Sequence, residues 1–215
     1  MNTTLSAPNG LSRLLTYVLI CAAWTIVSLP TSLQGQPTKL SFADLSQMKV
    51  VSLINGPNFI DLNGDRTEDL VFLGRFENYN AHSSTNFSFY INASIWPNES
   101  TRWYVVPFEK AQDERSDQIT THEGADCIPR DLRVLRQETF SGSSTIVVVG
   151  DCELGKSHAE AGPVCFTFYR LARNEEGFPG WPPFYFAEEK TIRGKQKHAD
   201  INEASLSELG IGQYK

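Results

Sequence analysis

The chain has 215 residues, of which 40% are hydrophobic, 20% charged and 11% aromatic. That composition excludes a disordered or collagen-like chain and leaves room for one domain or two small ones. With 19 basic and 25 acidic residues the net charge is −6, so there is no basic excess to neutralise phosphates and a nucleic-acid partner is not expected.

Residues 1–35 contain a single charge, Arg13, and residues 14–29 form an apolar run ended by Pro30. A basic start, a short apolar stretch and a polar exit read as a secretory signal. The run is shorter than the about 20 residues a spanning helix needs. No stable membrane span is therefore expected once the signal is removed, and a periplasmic or secreted location is. Residues 36–200 are then one mainly-β domain, and residues 201–215 a C-terminal helix or tail.

Strand-like runs recur at 49–54, 69–74, 86–95, 102–108, 131–136, 144–149, 164–171 and 184–189. In the third, Phe87, Phe89 and Ile91 share one face while Ser88, Tyr90 and Asn92 share the other. Val147-Val148-Val149 has no such alternation and predicts a strand buried on both faces. Turn residues such as Ser141-Gly142-Ser143 and Pro179-Gly180 punctuate the runs. Only residues 200–209 look helical, with Asp200 or Asn202 as cap and Gly210 as terminator. The expected fold is mainly β: a single antiparallel β domain, sandwich or barrel-like, with a short C-terminal helix.

Cys21 falls in the signal, which leaves Cys127, Cys152 and Cys165. An odd count in an oxidising compartment points to one disulfide and one thiol. Cys165 lies within a strand-like run as a buried thiol, so Cys127–Cys152 is the expected pair; three reduced thiols are the alternative.

The sharpest local motif runs from Asp61 to Asp69, Asp-Leu-Asn-Gly-Asp-Arg-Thr-Glu-Asp. Oxygen-bearing side chains fall at Asp61, Asn63, Asp65 and Asp69, the Thr67 carbonyl supplies a fifth oxygen, and Gly64 permits the turn. Such a set suits Ca²⁺ as a structural staple. It is not an EF-hand, because position 12 is Phe72 rather than Glu and strands flank it; FG-GAP-type β loops are the nearer parallel. The metal-free alternative is a hairpin whose Asp and Asn side chains close Asx turns.

Catalytic patterns are sparse. There is no G-x-S-x-G elbow, HExxH or P-loop. Ser46-Gln47-Met48-Lys49 fits S-x-x-K, but the companion elements stop short at Ser116-Asp117-Gln118 and Lys190-Thr191-Ile192. His82, His122, His158 and His198 are scattered, with no pair at zinc-ligand spacing. The chain is expected not to be an enzyme. Between Phe178 and Phe186, prolines stiffen an aromatic tract. It reads either as a rigid wall for a ligand or as a loop entering a core strand, with Trp181 over the core.

Seven blocks in order resemble the carbapenem intrinsic-resistance proteins of the CarG (CpmJ) type. They are residues 54–73 (INGPNFIDLNGDRTEDLVFL), 77–82 (ENYNAH), 105–108 (VVPF), 125–132 (ADCIPRDL), 155–157 (GKS), 164–171 (VCFTFYRL) and 176–186 (EGFPGWPPFYF). The resemblance implies a periplasmic protein that protects against a carbapenem by binding or sequestering it, or by shielding its target. It carries over no catalytic residue. A bound β-lactam needs a cation for its carboxylate. Arg130 and Lys156 lie in the matching blocks and are the candidates, with Trp181 or Tyr185 to cover the bicyclic ring. The rival reading is a Ca²⁺-stabilised adhesion or protein-interaction module with a protein partner.

Overall fold

The computed structural model describes residues 45, 47–80, 82–109, 114–124, 128–139, 142–153 and 160–212. The strands are β1 (Lys49–Val50), β2 (Gly56–Ile60), β3 (Asp69–Phe76), β4 (Ser84–Ala93), β5 (Arg102–Val105) and β6 (Phe108–Glu109). They continue as β7 (Arg115–Ser116), β8 (Ile119–His122), β9 (Arg130–Thr139), β10 (Gly142–Cys152), β11 (Gly162–Arg173) and β12 (Phe184–His198). One helix, α1 (Ile201–Leu209), follows. The strands form one sheet in the order β2-β3-β4-β8-β9-β10-β11-β12-β6-β7, with β5 on β4 and β1 on β9. Its pairings are antiparallel apart from the short parallel match of β12 with β6. The sheet is open, ending at β2 and β7.

Alternation decides which way each strand faces. Val71 and Leu73 of β3, Phe87, Phe89 and Ile91 of β4, and Leu132, Val134, Val147 and Val149 of β9 and β10 share one core. The two halves of the sheet therefore face each other across it, as in a sandwich. At its centre Phe108 stacks on Phe186 (4.7 Å between centroids) and meets Phe89 and Tyr169 edge-on at 5.4 and 5.1 Å. Burying each such ring stabilises the fold by about 1.5–3 kcal/mol, and burial pushes the Tyr169 phenol up to about 12.

The opposite face of β9–β12 has its own core. Leu135, Ile146, Val148, Phe166 and Phe168 are covered there by Ile201 and Ala204 of α1 and by Ile211. Val147-Val148-Val149 is indeed buried on both sides. A bulge in β12 makes both cores possible. Lys190 pairs with Phe168 and Glu188 with Tyr169, so Glu189 is an extra residue and the strand changes phase there. Phe184 and Phe186 before it join the first core, and Ile192 beyond it packs on the second.

The helix caps follow the sequence reading. Asp200 Oδ1 accepts from the amides of Asn202 (2.7 Å) and Glu203 (3.4 Å). Gly210 closes the helix at φ 69°, left-handed backbone that glycine adopts without strain.

Candidate functional site

The acidic loop joins β2 to β3 and closes on its own amides. Asp61 Oδ1 accepts from Gly64 N (2.6 Å) and its Oδ2 from Arg66 N (3.1 Å). Asn63 Oδ1 accepts from Asp65 N (2.9 Å), and Asp65 Oδ1 from Thr67 N (2.7 Å). Gly64 takes φ 83° at the turn. Asp69, fully buried, accepts from Leu62 N (2.8 Å) and Asn92 N (2.9 Å). Burial pushes its carboxyl above the usual range, against the lowering effect of those two amides. The expected calcium ligands thus run through this loop to the first residue of β3. Asp61, Asn63, Asp65 and Asp69 each accept from main-chain amides. Asp61 Oδ2 also faces the Arg136 guanidinium at 3.4 Å, and Asp65 Oδ2 accepts from the Asn63 side chain at 2.9 Å. A cation held by Asp61, Asn63, Asp65 and the Thr67 carbonyl would replace amide donors, while Asp69 anchors the loop's end to β4.

This loop forms one wall of a cleft of about 610 Å³. Asn63, Asp65 and Thr67 line it on the loop side; Thr145, Leu171, Arg173 and Phe184 line it on the sheet side. Its volume falls within the range of small-molecule sites. The Thr145 hydroxyl reaches the Leu62 carbonyl at 2.7 Å and fixes loop to sheet. A second cavity of about 380 Å³, lined by Trp96, Phe178, Trp181 and Pro183, shares Arg173 and Glu175 with the first.

Two arginines of β11 line the larger cleft. Arg170 is held by both oxygens of Glu189, at 3.1 and 3.2 Å. Arg173 pairs with Glu175 at 3.7 Å, where the two side chains are 53% and 73% exposed. Its guanidinium lies 5.7 Å from the Phe184 ring.

Of the four ligand-binding residues expected from sequence, three are described, and Arg130 lies apart from Trp181 and Tyr185. Arg130 pairs with Asp151 at 3.2 Å and sits in the sheet row Arg130, Asp151, Cys165, Arg193. Tyr185 sits opposite Ala172. Seven residues of β11 separate the rows, roughly 23 Å at the strand rise. Trp181 meets Tyr185 edge-on at 5.6 Å, carries the Arg115 guanidinium over its ring at 4.7 Å, and lines the smaller cavity. It is therefore part of a cavity wall rather than a cover for the core. Lys156 and Cys127 lie outside the described residues. The expected Cys127–Cys152 disulfide falls on Cys127 and so lies outside the described residues; Cys152 packs against the second core, and Cys165 lies beside Glu153 at 3.4 Å.

Sequence reasoning missed Arg170 and Arg173, since charged residues within a strand are ordinary outward-facing alternation. It also passed over Ser207, whose hydroxyl lies 3.4 Å from Nε2 of buried His198, with Glu203 3.9 Å from Nδ1. His198 pairs with Gly162 at the far end of β11 from Arg170 and Arg173, so that group does not face the cleft.

An open, mainly antiparallel sheet with a capping C-terminal helix and a loop-walled cleft is the class of protein defined here. Residues 53–207 match the family of carbapenem resistance proteins termed CarG-like. The chain belongs to that CarG-like family, in agreement with the resemblance its sequence blocks carry. It is also similar in fold to the crystal structure of CarG, with a TM-score of 0.58 and 22% identity over 74% of this chain and 94% of that one. No curated protein matches the chain.

Proposed function

We propose that this chain protects against a carbapenem without turning it over, by binding and sequestering the drug or by shielding its target, in the periplasm or as a secreted protein. The observation that carries this reading is the cleft of about 610 Å³, apolar at Leu171 and Phe184 and polar at Ser94, Thr101 and Asn63. A compact bicyclic acid has the size and mixed polarity that such a lining accepts. Family membership supplies the drug class. The test is proton NMR of a carbapenem mixed with the purified protein near equal concentration. Broadened ligand lines with the β-lactam signals intact support sequestration. Loss of those signals with time makes the protein an enzyme, and unchanged lines at millimolar protein overturn binding.

A second reading, a protein-interaction module stapled by Ca²⁺, is favoured by the outer face of the sheet. Phe59, Phe72, Trp103 and Val105 stand 57%, 44%, 49% and 42% exposed there. Phe59 lies opposite Leu70, Leu70 opposite Tyr90, and Tyr90 opposite Val105, so one apolar row crosses four strands. Exposed apolar patches of this kind mark partner surfaces. Pull-down by the protein, lost in Phe59→Glu, checks this reading.

A further inference from the structure

The sequestration reading leaves open how the ligand is held. We infer that Arg173 is the anchor for a monoanionic β-lactam, and that the ligand's carboxylate takes the place now held by Glu175.

Two observations converge on this residue. Arg173 is shared by both cavities, so a group bound to it reaches the hydroxyl-bearing cleft and the aromatic one. Its present partner is weak: a 3.7 Å contact between two exposed side chains contributes little, because water competes for both charges. A ligand carboxylate meeting the guanidinium fork with two parallel hydrogen bonds is a stronger partner.

The other arginine of the cleft is already committed. Arg170 has both oxygens of Glu189 at hydrogen-bonding distance, and Glu189 is the bulge residue of β12 and so is fixed by the sheet itself. Displacing Glu189 would uncover a half-buried pair; displacing Glu175 returns an exposed carboxylate to water. The Phe184 ring beside Arg173 and the Leu171 side chain then offer apolar surface for the bicyclic body, and the Ser94 and Thr101 hydroxyls lie in the same lining for its polar substituents.

This inference rests on the proposed function, and the test separates the two. Binding of a carbapenem and of its methyl ester is measured by NMR titration for wild type, Arg173→Glu, Arg173→Gln and Arg130→Glu, with melting temperature as the check on folding. Wild type is expected to bind the acid at least tenfold more tightly than the ester. Arg173→Glu and Arg173→Gln lose at least tenfold for the acid and little for the ester, and Arg130→Glu, at the other end of the sheet, binds as wild type does. Unchanged affinity for the acid in both folded Arg173 variants overturns the anchor and leaves sequestration standing. Absence of binding by wild type overturns sequestration, and the anchor with it.

Discussion

The Thr145 hydroxyl donates to the Leu62 carbonyl at 2.7 Å, with both residues sealed from solvent, and the two positions are 83 residues apart in the chain. This one bond joins the acidic loop to β10 at the base of the cleft. In Thr145→Val the shape is kept, but the buried carbonyl loses its donor. The expected cost is about 1–3 kcal/mol. Urea unfolding should show a lower midpoint with an unchanged slope, and an unshifted midpoint would remove the bond from any account of how the cleft is held.

Gly150 of β10 lies under the helix. A Cβ there would stand 3.0 and 3.3 Å from two Ile201 side-chain carbons and 3.4 Å from a Phe166 ring carbon. The helix thus sits as close to the strand as a missing side chain allows. Gly150→Val should force α1 outward and cost roughly 1–3 kcal/mol of overpacking. Faster amide exchange across residues 201–209 is the local signature to measure.

Asp69 gives a pH dependence with a defined sign. Burial raises its folded pKa above the ordinary aspartate range, so the folded state binds the proton more tightly than the unfolded chain. Its contribution is fully present below the unfolded pKa and is lost as pH rises through the raised folded value. Asp69→Asn should abolish that acid-side gain relative to wild type. At pH 7 the variant should also be less stable by about 1–3 kcal/mol, because its NH₂ would face a main-chain amide in place of an acceptor. Melting temperatures from pH 3 to 7 for both proteins decide it; parallel curves would refute the assignment.

Calcium is testable on the same loop. If Asp61, Asn63, Asp65 and the Thr67 carbonyl hold Ca²⁺, saturation to a hundred times Kd should add about 2.7 kcal/mol of stability. Chelation should reverse the gain, and Asp65→Ala should remove the response, with a lower metal-free melting temperature of its own because Thr67 N and the Asn63 amide lose their acceptor. No shift at millimolar Ca²⁺ would show that the loop is held without metal, by its Asx turns and its bonds to the sheet.

Much of this architecture is legible in the sequence because burial imposes a period. Phe87, Phe89 and Ile91 alternate, and all three are buried; Asp200 and Gly210 cap the helix they flank. Strand β12 shows the limit. Its second half, Glu188 to His198, is mostly polar and carries no apolar alternation, and it is a strand because β11 supplies a partner. Lys190 lies over the Phe168 ring at 5.0 Å and Arg193 pairs with Glu153 at 2.5 Å. In the other direction, residues 49–54 are apolar enough for a strand, yet the ladder holds only Lys49 and Val50. The acidic loop was readable because its chemistry is local. The cleft was not, since Thr145, Arg173 and Phe184 meet only through strand order and the Glu189 bulge.

The parallel match of β6 with β12 joins only Phe108 to Phe186 and Glu109 to Ala187, but it ties together segments nearly eighty positions apart. Closing so long a loop costs entropy before the central aromatic stack can repay it. Chains dominated by such distant pairings fold in milliseconds to seconds rather than microseconds. The Phe108–Phe186 contact therefore carries a high closure cost, and a chain in which it has not formed exposes the aromatic surface that the finished core conceals.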